Sequence, residues 1–229
     1  MSKYLNLEKN PEYAKLKAPA QIIKTGGIVI FPTETVYGIG VNGLNETAIK
    51  KLYEVKQRPI NKPISLLVNS IDMIEKVAKD ISEIEYDLIK KFFPGPLTIV
   101  LKKKDCVPDS LTAGFDTVGI RMPENEIALK LIEYAGVPIA TPSANISGKP
   151  SGTNLKEIMK DFNDNVDYFI DGGLSKIGIA STIVQIIDDI PHILRKGKIS
   201  EEQIIEQTLI SKQKNLKNTL KNSKNIVQY

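Results

Sequence analysis

One cysteine, one histidine and no tryptophan occur in the 229 residues of this chain. With Cys106 alone, an intramolecular disulfide is impossible and a thiolate metal cluster is excluded. Cys106 lies in the polar run KKKDCVPDS, away from any obvious base, and reads as an incidental loop residue. With His192 alone, a multi-histidine metal site is excluded and a Ser-His-Asp triad would rest on one residue. His192 sits in a strand-like PHILRKG run, where a solvated or core histidine is the reading. Two nucleotide signatures are missing as well: there is no G-x-x-x-x-G-K-[ST] loop and no G-x-G-x-x-G after a strand, which argues against a P-loop ATPase and a Rossmann dehydrogenase. No apolar run approaches the roughly 20 residues of a membrane span, and the N-terminus has no apolar signal region, so a cytoplasmic protein without membrane association is expected.

What remains is an ordinary globular composition, 41% hydrophobic and 25% charged, with a net charge of +4. The charge is uneven. Lys212, Lys214, Lys217, Lys221 and Lys224 fall in a stretch from Gln207 to Tyr229 that has no acid, so the remainder is close to neutral. We divide the chain into an N-terminal lead-in (1–19), a main domain (20–206) and a basic C-terminal tail (207–229), read as solvated and partly disordered.

Within the main domain the stretch Gly26 to Val68 organises the rest. Ile28 to Phe31 is a β-branched and aromatic run bounded by Gly-Gly and Pro32, which predicts a buried strand. A turn bearing Thr33, Glu34, Thr35 and Tyr37 follows, then a helix from Asn45, its expected N-cap, to Lys56, stopped by Pro59. Lys56, Arg58 and Lys62 cluster at the helix's end. Further strands are expected at 64–68, 97–101, 117–122, 137–140 and 167–170, and a close antiparallel pair at 181–187 and 192–197. Helices are expected at 71–93 with a break near Ile81, at 126–134 and 155–162, and from a Ser200/Gln203 capping box onward. This alternation predicts an α/β fold with an open, twisted, mixed β-sheet and flanking helices.

Three hydroxyl-rich or basic segments adjoin predicted strands: PTETVYG, KQRPINKP and TPSANISGKPSG. Arg121 and Arg195 stand in or at the ends of two more strands. Guanidinium and ammonium groups supply charge, and Ser, Thr and backbone N–H groups supply neutral donors, a set suited to an anionic, phosphate-bearing ligand. The residues alone do not name that ligand. A partly buried Arg121 needs an anionic partner, with Glu124 and Asp116 as the protein candidates.

Together, PTETVYGIG, Lys56-Gln57-Arg58, GIRMP at 119–123, TPSANISGKPSG, STIV and LRKG resemble, in order and from about Ala20 to Ile199, the YrdC-like family of L-threonylcarbamoyladenylate synthases of tRNA modification. The resemblance implies a reaction of L-threonine, bicarbonate and ATP, with Mg²⁺ accompanying the nucleotide, giving threonylcarbamoyl-AMP and pyrophosphate. A partner complex would transfer the threonylcarbamoyl group to adenosine next to the anticodon, and weak contact with tRNA is a further expectation. It also implies roles: Lys56 and Arg58 at the phosphates as catalytic groups, with Lys62, Thr117, Ser143, Asn145, Ser151 and Arg195 around the nucleotide. Thr33, Thr35, Tyr37, Arg121, Thr141 and Ser181 fall on the threonine and carbamate side, with Arg121 on the amino acid's carboxylate. No protein side chain is assigned to a metal. Two positions depart from the pattern, Lys62 where many members have Asn and Leu67 where many have His. The second domain of long members is expected to be absent, since about thirty residues follow Ile199. Two other functions are compatible with these residues, a carbamoyl-adenylate-handling domain like that of hydrogenase maturation factors and a non-catalytic RNA-binding module.

Overall fold

A computed structural model describes residues 2–9, 11–162 and 165–226. One mixed sheet of ten strands forms the frame, in the order β1-β8-β2-β3-β7-β4-β6-β5-β9-β10. Its centre joins β2 (Val29–Phe31), β3 (Gly38–Asn42), β7 (Ile139–Ala140), β4 (Leu66–Leu67), β6 (Thr117–Arg121) and β5 (Leu97–Lys102). Beyond β2 lie β8 (Tyr168–Asp171) and β1 (Lys3–Asn6); beyond β5 lie β9 (Thr182–Ile187) and β10 (Ile190–Arg195). Parallel pairs (β1 with β8, β2 with β8, β4 with β6, β5 with β9) and antiparallel pairs (β2 with β3, β3 with β7, β4 with β7, β5 with β6, β9 with β10) are mixed across it, as the mixed reading expected.

The helices follow from their caps. Asn45 accepts from the Ala48 N–H and opens α2 (Glu46–Val55). Ser70 caps α3 (Ile71–Val77), and the expected break before α4 (Glu83–Phe92) is made by a reciprocal capping box between Ser82 and Glu85. Asn125 caps α6 (Glu126–Ala135), which Gly136 closes in a left-handed conformation. Two further helices, α1 (Lys17–Lys24) and α7 (Leu155–Phe162), and the short α5 (Asp109–Thr112) complete the set before the C-terminal helix.

The structure corrects the sequence reading in three places. The segment read as a lead-in supplies β1, which pairs in parallel with β8 from Lys3 opposite Tyr168 to Asn6 opposite Asp171, and it buries Leu7 and Leu16. Such an edge strand is invisible locally because its partner lies far along the chain. Strand β3 was missed because Gly38 and Gly40 interrupt its apolar pattern. They are needed there: a Cβ on Gly38 would stand 2.5 Å from Thr141 Cγ2, so only glycine lets the two segments approach. The basic tail is helical. The Ser200/Gln203 box is present, and α8 runs from Glu201 to Ile226 without a proline or glycine to stop it. Its first half packs on α4, burying Ile204, Thr208 and Ser211, and Lys214 pairs with Asp87 of α4. Residues 227–229 of that tail lie outside the described residues.

Candidate active site

The connection between β2 and β3, the loop 141–153 and the segment 172–180 are laced together by backbone bonds. Tyr37 N–H donates to Gly152 O, Ala144 N–H to Tyr37 O and Ile39 N–H to Pro142 O. Ile177 N–H donates to Glu34 O and Gly178 N–H to Thr35 O, while Thr141 N–H donates to Ser65 O beside β4. These segments have no regular structure of their own, yet their backbone polar groups are satisfied by one another. They enclose a cavity with the ends of β4, β5, β6, β9 and β10.

Eight of the fourteen residues assigned from sequence line that cavity: Thr35, Arg58, Arg121, Thr141, Ser143, Ser151, Ser181 and Arg195. Three guanidiniums, from α2's end, β6 and β10, therefore converge from positions 58, 121 and 195. Burial lowers the pKa of each, and Arg195 is lowered further by the positive charges of Arg121 and Arg58. All remain charged at neutral pH, and their mutual repulsion creates a site that favours an anion. Arg58 is held by the turn after it, with Nε donating to Lys62 O at 3.1 Å and Nη2 to Pro63 O at 2.9 Å. Arg195 donates from Nη2 to both the carbonyl (2.8 Å) and the hydroxyl (3.0 Å) of Ser181, whose Oγ also bonds Thr98 Oγ1. Arg195, which could have been a surface charge, is thus tied into the site.

The other six do not line it. Lys56 is fully buried, and its Nζ donates to Ser143 O and Asn145 O, so it clamps the loop 141–153 onto the end of α2. Its backbone carbonyl accepts from Ser147 N–H in the same loop. Thr33 Oγ1 donates to Val36 O and bonds Thr35 Oγ1, fixing the turn. Tyr37 is buried, donating to Gly173 O at 2.6 Å, so its phenol secures the segment 171–173 and its pKa is raised by burial. Asn145 accepts from Ser143 Oγ and donates to Ile146 O and Lys149 O. Lys62 is exposed, and Thr117 starts β6 opposite Lys102. His192 is exposed, as a solvated residue.

Four participants were not assigned from sequence. Ser65, Thr98 and Pro142 line the cavity, each beside a strand end whose register only the folded sheet reveals. The fourth is Glu34. It is the partner of Arg121, in place of Glu124 or Asp116, with Nη2 donating to Oε1 at 2.6 Å in an almost fully buried pair. The signal was available in PTET, but an acid in a turn reads as solvated.

Burial, then the neighbouring charge of Arg58, push the Lys56 ammonium down to about 7 from the ordinary 10.5. Between those values the unfolded chain binds the extra proton, so stability rises with pH across that window. Lys56→Met should flatten that rise, read as urea midpoints at pH 7 and pH 9.5. Equal slopes in the two proteins would remove Lys56 from the linkage.

The model of the Sua5/YciO/YrdC family, described as telomere recombination, matches residues 21–197. The chain belongs to the Sua5/YciO/YrdC family. All eight cavity-lining assignments lie within the matched span. A threonylcarbamoyl-AMP synthase of Pyrococcus abyssi is 45% identical over 89% of this chain and 60% of its own length. A putative threonylcarbamoyl-AMP synthase of Methanocaldococcus jannaschii is 44% identical over 80% of this chain and 85% of its own length. The structure of P. abyssi Sua5 complexed with L-threonine superposes with a TM-score of 0.87, at 44% identity, over 90% of this chain and 61% of that one. E. coli YciO superposes at 0.80, with 25% identity, over 89% of this chain and all of that one. This family member thus spans about three fifths of the P. abyssi protein's length and about half (54%) of its Bacillus subtilis relative. HypF structures share the fold at 20–23% identity.

Proposed function

We propose that this chain forms L-threonylcarbamoyl-AMP and pyrophosphate from L-threonine, bicarbonate and ATP. The observation that carries this reading is the convergence of Arg58, Arg121 and Arg195 on one hydroxyl-lined cavity. Threonine's ammonium and bicarbonate give a carbamate, water and a proton. A carbamate oxygen then attacks the α-phosphorus of ATP and the pyrophosphate leaves. Phosphoryl chemistry of this kind depends on positioning and charge stabilisation, which guanidiniums and hydroxyls supply without a nucleophilic side chain.

Arg58 and Arg195 serve the phosphates, with Ser143 and Ser151 as neutral donors beside them. Arg121 receives the amino acid's carboxylate, with Thr35, Thr141 and Ser181 around the carbamate. Leu67 is next to Arg121 in the register of β4 and β6 and lines the cavity, so it gives the amino-acid side an apolar wall. The cavity holds about 180 Å³, below the roughly 300–1,000 Å³ of sites that enclose a drug-sized ligand. It suits the amino acid and the reacting phosphate, and the rest of the nucleotide extends towards the loop 141–153 and Thr117. Lys56 acts by holding that loop.

No group of three or more His, Cys, Asp or Glu among the described residues could hold a metal ion. Mg²⁺ enters this reading as the counter-ion of the triphosphate, and no step is routed through it. The product would pass to a tRNA threonylcarbamoyl-transferring complex, with any tRNA contact weak and the work done in the cytoplasm. No described helix is long and apolar enough to cross a membrane. Pyrophosphate release by the purified chain with Mg²⁺ and ATP should require both L-threonine and bicarbonate. Release that is indifferent to either, or none at all from folded protein, would overturn the proposal.

A further inference from the structure

Three cations line one small cavity, and the proposed reaction asks it to accept two unlike ligands, a polyanionic triphosphate and a zwitterionic amino acid. Guanidiniums alone do not tell them apart, since a triphosphate would take all three. The sole acid in direct contact with any of the three, among the described residues, is Glu34, and no Asp or Glu lines the cavity itself.

We infer that Glu34 divides the cavity electrostatically, reserving the Arg121 end for the zwitterion by repelling phosphate from it. The inference rests on the functional reading above. Arg121 Nη2 donates to Glu34 Oε1 and its Nε to Gly95 O, so the guanidinium is fixed from two sides while its side chain still lines the cavity. With its charge balanced by Glu34, the Arg121 end is near neutral, whereas Arg58 and Arg195 bond only carbonyl and hydroxyl oxygens and keep their full charge. A polyanion is directed to the unbalanced pair. A zwitterion, whose ammonium gains from a nearby carboxylate, is directed to the balanced one.

Stability does not account for the pair. A buried ion pair is commonly no better for folding than an apolar substitute. Here Glu34 Oε2 is buried, and among the described residues nothing donates to it, a cost that a purely structural carboxylate would be expected to relieve. Glu34 is a positioning and selectivity residue by this argument, not a catalytic one.

The test is Glu34→Gln, which keeps an oxygen acceptor for Arg121 and removes the charge. Calorimetric titrations of the whole chain would measure L-threonine and Mg²⁺-ATP separately, then threonine at rising ATP. L-threonine should bind at least about tenfold more weakly, the scale of a lost charge-assisted interaction, while ATP binds as tightly or more tightly and now competes with threonine. Opposite movement of the two ligands is the signature; a merely structural defect weakens both. Parallel weakening, or no change in either, would overturn the inference. Should the variant fail to fold, Glu34→Asp carries the test: it retains the charge, so ATP must still not compete with threonine, and competition there would overturn the inference. Failure of the functional reading is distinct, since wild-type protein would then not bind threonine at all.

Discussion

Arg58→Ala is expected to lower pyrophosphate release by at least about a hundredfold, the scale of removing one preorganised charge-stabilising donor at a reacting centre. The protein should remain folded. Arg58 is half-buried, and the groups it bonds, the carbonyls of Lys62 and Pro63, belong to exposed residues that water can serve instead. The loss should fall mainly on turnover, because the charge on the transferring phosphorus and departing pyrophosphate grows in the transition state. Arg58→Lys should recover little, since a point charge on a flexible stem does not replace a guanidinium fixed by two carbonyls. Steady-state pyrophosphate assays beside a denaturation curve decide the matter. Full activity in Arg58→Ala would remove Arg58 from the chemistry, and a wild-type chain without turnover whose RNA retention weakens in Arg58→Ala would favour a non-catalytic RNA-binding module.

How much of this was legible beforehand depends on whether a feature is local. The caps at Asn45 and Ser200 are written in neighbouring residues and appear where expected, and the helix expected to reach Phe93 ends one residue earlier, with Phe93 as its cap. The expected strand at 64–68 shortens to Leu66–Leu67 because its pairing depends on β6 and β7, which local pattern does not show. Strands β1 and β3 were lost for related reasons, one paired far along the chain and the other disguised by glycines that serve packing. The site divides in the same way. Motif order brought Arg58, Arg121, Ser143 and Arg195 to one place, but the tasks of Lys56 and Tyr37 are set by burial. Both were assigned to the ligand wall, and both hold backbone segments behind it. Glu34 is the opposite case, a turn acid whose meaning appears only when β6 delivers a guanidinium to it.

That pairing gives the largest expected effect on folding. Arg121→Met should cost about 3–5 kcal/mol, because it leaves the Glu34 carboxylate buried with no compensating charge. Desolvation is the source of the cost: Glu34 is 6% exposed and Arg121 8%, so water cannot replace the lost partner. Adding Glu34→Gln should recover most of the loss, since the remaining amide is neutral and of the same shape. Urea denaturation of the wild type, both single variants and the double variant closes a cycle whose coupling measures the pair. A single Arg121→Met protein as stable as the wild type would mean that the pair is not desolvated as described. The double variant also separates folding from function: restored stability should not bring threonine binding with it, because the carboxylate-receiving guanidinium is gone. If the double variant bound threonine as the wild type does, Arg121 would have no part in the amino-acid site.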